Sequence, residues 1–330
     1  MNNIQNTKNT ESILQIRDLH KTFVLGLMRK HVQAVAGISL SVKRGEVFGL
    51  VGPNGAGKTT TMKMVLQLIF PSRGEITLFG KPAGDAKARA RLGYLPENPY
   101  IYSYLKPMEF LDLCGRLCDM GRSARNQRAH MLIERLGLDH ANDRPIGKFS
   151  KGMMQRMGVC QALLHDPELL ILDEPFSGLD PIGRKEIREL ILEQRKLGKT
   201  VIITSHVLHD VEAMADRVAI IQRGKLVAYG ALAELLRPEV RRVELELSAV
   251  DDALHAQLAQ AAAELREVSG RLFVVIEGDQ RATELLKAVV ESGAIVHSVT
   301  PHRETLEDLF VRKALEGREE TTHDSKSGVE

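Results

Sequence analysis

No stretch of the 330-residue chain approaches the roughly 18 consecutive apolar residues that a membrane-crossing helix needs. The polar opening MNNIQNTKNTES lacks the apolar segment of a secretory signal. A chain that neither spans a membrane nor is exported is therefore expected, acting in the cytoplasm. Charge of one sign is also missing: 45 basic against 43 acidic residues leave a net charge of +2, with no concentrated basic run, so no nucleic-acid partner is expected. Cysteine is scarce. Cys114, Cys118 and Cys160 cannot all pair and none has C-x-x-C spacing, which excludes a disulfide framework and gives no metal-ligand pattern. Cys114 and Cys118 lie one helical turn apart among Leu111, Leu113 and Leu117, as in a packed apolar helix. What remains, 43% hydrophobic and 27% charged residues, is the profile of a globular protein with one large or two ordinary domains.

The most informative stretch runs from Gly52 to Thr60, GPNGAGKTT, and matches G-x-x-x-x-G-K-[ST] at every fixed position. The apolar run Val47–Val51 precedes it and reads as a buried parallel strand. Met62, Val65, Leu66 and Ile69 follow at helical spacing, so the loop joins a strand to a helix N-terminus. Glycines Gly52, Gly55 and Gly57, with Pro53, Asn54 and Ala56 between them, let successive N–H groups curl into a nest for phosphate. Lys58 is expected on the β- and γ-phosphates of a nucleotide, with Thr60 beside it. The Thr59 hydroxyl is expected on Mg²⁺.

A first strand is expected over Ile13 to Leu19, and a second where Ile38, Leu40 and Val42 alternate with serines. The segment VLGLMRKHVQAVAG between them reads as a solvated loop with a basic tip at Arg29, Lys30 and His31. After a strand near Ile76 and Leu78 and another ending at Tyr94 and Leu95, Glu97 lies on a proline-bracketed loop. Met108 to Leu138 reads as helices, with Phe110, Leu111, Cys114 and Leu117 on one face and Met131, Ile133 and Leu136 on another. Ser150 and Gly152 precede a further helix. The run Leu169–Leu172 delivers Asp173 and Glu174 at its C-terminal end, where ligands of parallel sheets bind. SGLD, ending at Asp180, turns into a helix, and His206 directly follows the next strand. Short strands around 218–221 and 225–228 close the domain near Arg237. Beyond it, strands at 243–247, 272–276 and 294–299 and helices over Asp251–Glu267 and Arg281–Ser292 form a small α/β domain.

LLILDEP followed by SGLD, with a serine–glycine motif before it and a histidine after the next strand, resembles the ATP-binding cassette family of ATPases over about Ile13 to Arg237. The resemblance implies a P-loop cassette: a mixed, mostly parallel sheet, an antiparallel β part and a helical subdomain at about 97–165. The domain spans 12–237, a regulatory or dimerising α/β domain spans 238–316, and 1–11 and 317–330 are disordered ends. It implies ATP and Mg²⁺ as cofactors, Phe23 as the platform that stacks adenine, Asp173 on Mg²⁺, Glu174 as general base, and His206 on the γ-phosphate and attacking water. Asp180 joins the nucleotide-binding set.

Ser150 and Gly152 correspond to the family's LSGGQ motif, which binds the γ-phosphate held by an opposite subunit. A homodimer, or a pair with a related cassette, is thus implied around two ATP molecules. Here the motif reads FSKGM, so Lys151 and Met153 depart from the pattern. Glu97 stands where many cassettes have a metal-touching glutamine. Its charge repels a triphosphate unless metal screens it, so a place on the partner-facing loop is the preferred reading. The likeness extends to exporter ATPases with a small C-terminal domain. It implies the ATPase subunit of an exporter, peripheral on the inner membrane face, with a permease in a separate chain. The alternative is a soluble cassette ATPase acting on nucleic acid or ribosomes.

Overall fold

The computed structural model describes residues 12–26, 30–237 and 240–313. Arg29 and the ends 1–11 and 317–330, expected to be disordered, lie outside the described residues. The chain divides into two units, Met1–Leu232 and Ala233–Glu330.

In the first unit β1 (Ser12–Leu25), β2 (Lys30–Lys43) and β3 (Val47–Val51) lead to α1 (Lys58–Val65), followed by β4 (Arg73–Leu78), β5 (Lys81–Pro82), α2 (Ala86–Arg89) and β6 (Leu92–Leu95). Three helices, α3 (Pro107–Leu117), α4 (Arg122–Arg135) and α5 (Lys151–Leu163), precede β7 (Leu169–Asp173). Then come α6 (Pro181–Lys196), β8 (Thr200–Ser205), α7 (Leu208–Glu212), β9 (Arg217–Gln222) and β10 (Lys225–Ala231). A six-stranded sheet runs β10-β9-β3-β8-β7-β6. Its strands are parallel except for β10, which pairs antiparallel with β9. β3, β7 and β8 are buried along their whole length, as strands covered on both faces must be, and this is why β3 and β7 (up to Asp173) read as apolar runs and β8 as a β-branched one. Because β3, β8 and β7 are parallel neighbours, the loops after all three emerge at one edge of the sheet.

The second, antiparallel sheet has the order β2-β1-β4-β5. Its buried residues, including Leu14, Ile16, Leu19 and Ile38, share a core with Phe48 and Leu50 of β3 and with Met62, Met64 and Val65 of α1. Burial of each such side chain contributes about 1.5 to 3 kcal/mol. The segment expected as a basic-tipped loop is instead the outer half of a hairpin: β1 and β2 stay paired to Leu25↔Lys30. Residues 30–33 are exposed on both faces, so no alternation marked the strand. β1 is also longer than expected, with a break where Asp18 takes φ 45° and the register shifts between Ile16 and Leu19.

In α3 the buried stripe is Pro107, Phe110, Leu111 and Gly115, at helical spacing. Leu117 falls off that stripe and is 78% exposed, and Cys118 is exposed as well, so the expected apolar face stops short of them. In α4 Ile133 is buried while Met131 is 46% exposed.

The second unit is a four-stranded antiparallel sheet of order β12-β13-β11-β14, built from β11 (Val240–Ser248), β12 (Glu264–Val268), β13 (Arg271–Glu277) and β14 (Ile295–Arg303). Helices Asp252–Ala261 and Asp279–Glu291 complete a β-α-β-β-α-β, ferredoxin-like unit. Leu245, Leu247, Leu258, Val274, Ile276 and Val289 are its fully buried centre. The helix expected to run to Glu267 ends at Ala261, and β12 begins at Glu264. Ser269 (φ 53°) and Gly270 (φ 75°) make the two-residue turn between β12 and β13. The run AAAELREV is helix-forming by composition, and pairing with β13 overrides that preference. Glu304 is buried beside this sheet, where it accepts from the Arg237 N–H (2.8 Å), Arg241 (2.9 Å) and Arg312 (3.0 Å). Burial pushes its carboxyl up, but those donors outweigh burial and hold it below the usual carboxylate range.

Candidate nucleotide site

The Gly52–Thr60 loop sits at the C-terminal end of β3, with residues 54–60 lining a cleft of about 330 Å³ together with Ala34, Glu97 and Glu174. Two glycines are demanded by close approach. A Cβ on Gly52 would lie 2.1 Å from the Ile221 carbonyl oxygen, and one on Gly57 (φ 107°) would lie 2.5 Å from that of Ala34. Gly57 caps α1 without any side-chain acceptor, and no acidic residue follows in the first turn. The helix therefore presents unpaired N–H groups and positive potential to the cleft.

Lys58 is 5% exposed, and its Nζ donates to the Gly52 and Pro53 carbonyls at 2.7 and 3.2 Å. The same ammonium lies 3.5 Å from Glu174 Oε1. Glu174 Oε2 in turn lies 2.8 Å from His206 Nδ1. Lys58 and His206, both expected on the γ-phosphate, thus each meet Glu174, the expected general base, because β3, β7 and β8 deliver them side by side.

Asp173 is 1% exposed. Its Oδ1 accepts from the Thr59 hydroxyl at 3.1 Å and from the Thr204 hydroxyl. Burial pushes its carboxyl above the usual range by more than these hydroxyls lower it, and the negative charge of Glu97 adds to the rise. Asp173 is therefore a buried carboxylate whose nearest partners are neutral. Glu174 follows with φ 51°, a left-handed conformation costly for a side chain of this size. Its N–H donates to the Thr204 carbonyl and hydroxyl, both at 3.1 Å. Thr204 therefore holds both acidic residues in place; only its position two residues before His206 could have singled it out.

The serine–glycine motif lies at the start of α5. Ser150 caps the helix, its Oγ accepting from Met153 N at 3.2 Å. Lys151 lies along the SGLD turn: its stem occupies the space where a Cβ on Gly178 would come within 2.4 Å, and its Nζ is 3.4 Å from Ser177 Oγ. Asp180 caps α6 by accepting from Gly183 N at 2.7 Å. Phe23 pairs with Val32 on the β1–β2 hairpin, two residues before the Ala34 that borders the loop, and the Lys21 ammonium lies 5.0 Å from its ring centroid. Neither Phe23, Ser150, Gly152 nor Asp180 lines the cleft around the loop. In the sequence nothing separates Gln155 from other polar helix residues. It is 2% exposed and donates to the Glu174 and Pro175 carbonyls at 3.5 and 3.2 Å.

Among the described residues no helix is long and apolar enough to cross a membrane, and no cluster of three or more potential metal-binding side chains occurs.

A model of the ABC transporter family matches residues 35–177. An ABC transporter ATP-binding protein of Synechocystis sp. is 40% identical over 92% of this chain and 85% of its own length. The Nod factor export ATP-binding protein I of Ralstonia nicotianae is 34% identical over 90% of this chain and 94% of its own. Among solved structures, the ATP-binding subunit of an ABC transporter superposes with a TM-score of 0.62 at 30% identity, covering 68% of this chain and 92% of that one.

Proposed function

Starting from the fact that the chain belongs to the ABC transporter family, as an ATP-binding and ATP-hydrolysing subunit, we propose that it drives an exporter through a permease in a separate chain. Two copies would close on two ATP molecules and open after hydrolysis. Export is favoured by the likeness to the Nod factor export protein, which extends over both units. The subunit would work at the inner face of the membrane.

The observation that carries the mechanism is that Glu174, which lines the phosphate-loop cleft with Lys58, contacts both Lys58 and His206. On ATP binding, the α1 N-terminus and the loop N–H groups hold the phosphates, and Lys58 turns from the Gly52 and Pro53 carbonyls to the β- and γ-oxygens. Glu174 then accepts the proton of the attacking water, while His206 orients its carboxylate through Nδ1. Thr59 and Asp173 suit Mg²⁺: a hydroxyl and a buried carboxylate stand together, and among the described residues no cation is in hydrogen-bond contact with that carboxylate. Bound there, the metal would neutralise charge on the phosphates. Phe23 would stack the adenine. Ser150 and Gly152 would serve the γ-phosphate of the other copy, which accounts for their absence from the cleft of their own loop. Asp180, already engaged as a cap, would act through the placement of its turn.

Glu174→Gln tests the base. Nucleotide affinity should be retained while steady-state hydrolysis falls by roughly 100-fold or more; a wild-type rate would refute the assignment.

A further inference from the structure

Helix α5 reaches Glu174, the proposed general base, by a route that the ATP-facing groups do not use. Gln155 lies on the side of α5 that faces the segment after β7, one turn beyond Ser150. Its buried amide donates to two consecutive carbonyls, those of Glu174 and Pro175. These are the peptide units immediately after the residue with φ 51°. A left-handed conformation at Glu174 persists only where the surroundings fix it on both sides. Thr204 fixes the N–H side from β8. On the carbonyl side the Ser177 N–H donates to the Glu174 carbonyl at 3.1 Å, and among the described residues Gln155 is the side chain that joins it there and also holds the Pro175 carbonyl. Elsewhere α5 packs tightly against other parts of the site: a Cβ on Gly158 would lie 2.6 Å from Leu95 and 2.9 Å from Pro99, which flank the Glu97 loop. The helix thus touches both acidic loops of the cleft.

We propose that Gln155 is a positioning residue for ATP hydrolysis. By holding the Glu174 and Pro175 carbonyls it sets the backbone turn that aims the Glu174 carboxylate, and it ties that aim to the position of α5. The inference rests on Glu174 being the general base. Gln155 is buried and its amide is spent on the Glu174 and Pro175 carbonyls, so its loss should change the chemical step and leave ATP binding intact.

The test uses the purified full chain with Mg²⁺ and ATP, comparing wild type, Glu174→Gln, Gln155→Met and Gln155→Glu. Gln155→Met keeps the volume and removes the donors. Its kcat should fall by roughly 10- to 100-fold with the KM for ATP unchanged, the size of loss expected when a reacting group is misplaced by about an ångström. An unchanged kcat overturns the inference; so does a parallel loss of ATP affinity, the mark of a merely structural residue. Gln155→Glu guards against misfolding of the apolar variant. A protonated carboxyl can donate its one O–H to one of these carbonyls whereas a carboxylate repels both, so its kcat relative to wild type should recover in part as the pH is lowered. A ratio independent of pH overturns the inference. Should Glu174→Gln keep the wild-type rate, the reading of the base fails, whatever the Gln155 variants do.

Discussion

The most deeply buried carboxylate of each unit, among the described residues, is held in an opposite way. Glu304 in the C-terminal unit meets a backbone N–H and two guanidinium groups, which hold it below the usual range. Asp173 in the nucleotide unit receives two threonine hydroxyls, and burial leaves it above that range. A buried charge that is fully paired serves the fold, whereas one paired only with neutral groups costs stability and is kept for a partner yet to arrive.

Exchanging charge for an amide at each position sharpens the contrast. Asp173→Asn retains the acceptor for Thr59 and Thr204 but removes the charge that suits Mg²⁺, so hydrolysis should drop by roughly 100-fold. The same change should raise the unfolding free energy of the nucleotide-free protein by about 1 kcal/mol, since a desolvated charge is removed. A destabilised Asp173→Asn variant would break the comparison. Glu304→Gln should do the reverse, costing about 1 to 3 kcal/mol because the buried acceptor of the Arg237 N–H, Arg241 and Arg312 loses its charge. Hydrogen exchange of the β11 and β13 amides would read that loss, with ATP affinity unchanged.

The smallest expected effect is on pH dependence, and its sign differs between the sites. Asp173 titrates higher folded than unfolded, so its contribution is present below the ordinary aspartate value of 3.8 and is lost as pH rises through the folded value. Glu304 titrates lower folded, so its contribution is present above 4.5 and is lost as pH falls. Stability profiles of Asp173→Asn and Glu304→Gln should therefore flatten in opposite senses relative to wild type.

Much of the nucleotide unit was legible in its sequence because function there is local. Gly52–Thr60 carries its chemistry in consecutive residues, Asp173 and Glu174 end a strand whose burial on both faces makes it an apolar run, and His206 follows a β-branched one. Contacts across the fold left no such trace. Gln155 and Thr204 act through backbone groups some 20 to 30 positions away, and no spacing rule links them to their targets. The exposed outer half of the β1–β2 hairpin had no alternation to read. In the C-terminal unit β12 was hidden by helix-forming residues, although the Ser269–Gly270 turn could have betrayed it.

The central claim is that the phosphate loop forms only half of a working site, with Ser150 and Gly152 completing the site of another copy. The most direct measurement is the ATP hydrolysis rate per chain of the purified protein as a function of its concentration. A specific rate that rises with protein concentration and levels off as copies associate is predicted. A full rate that is independent of concentration in a monomeric sample would contradict it.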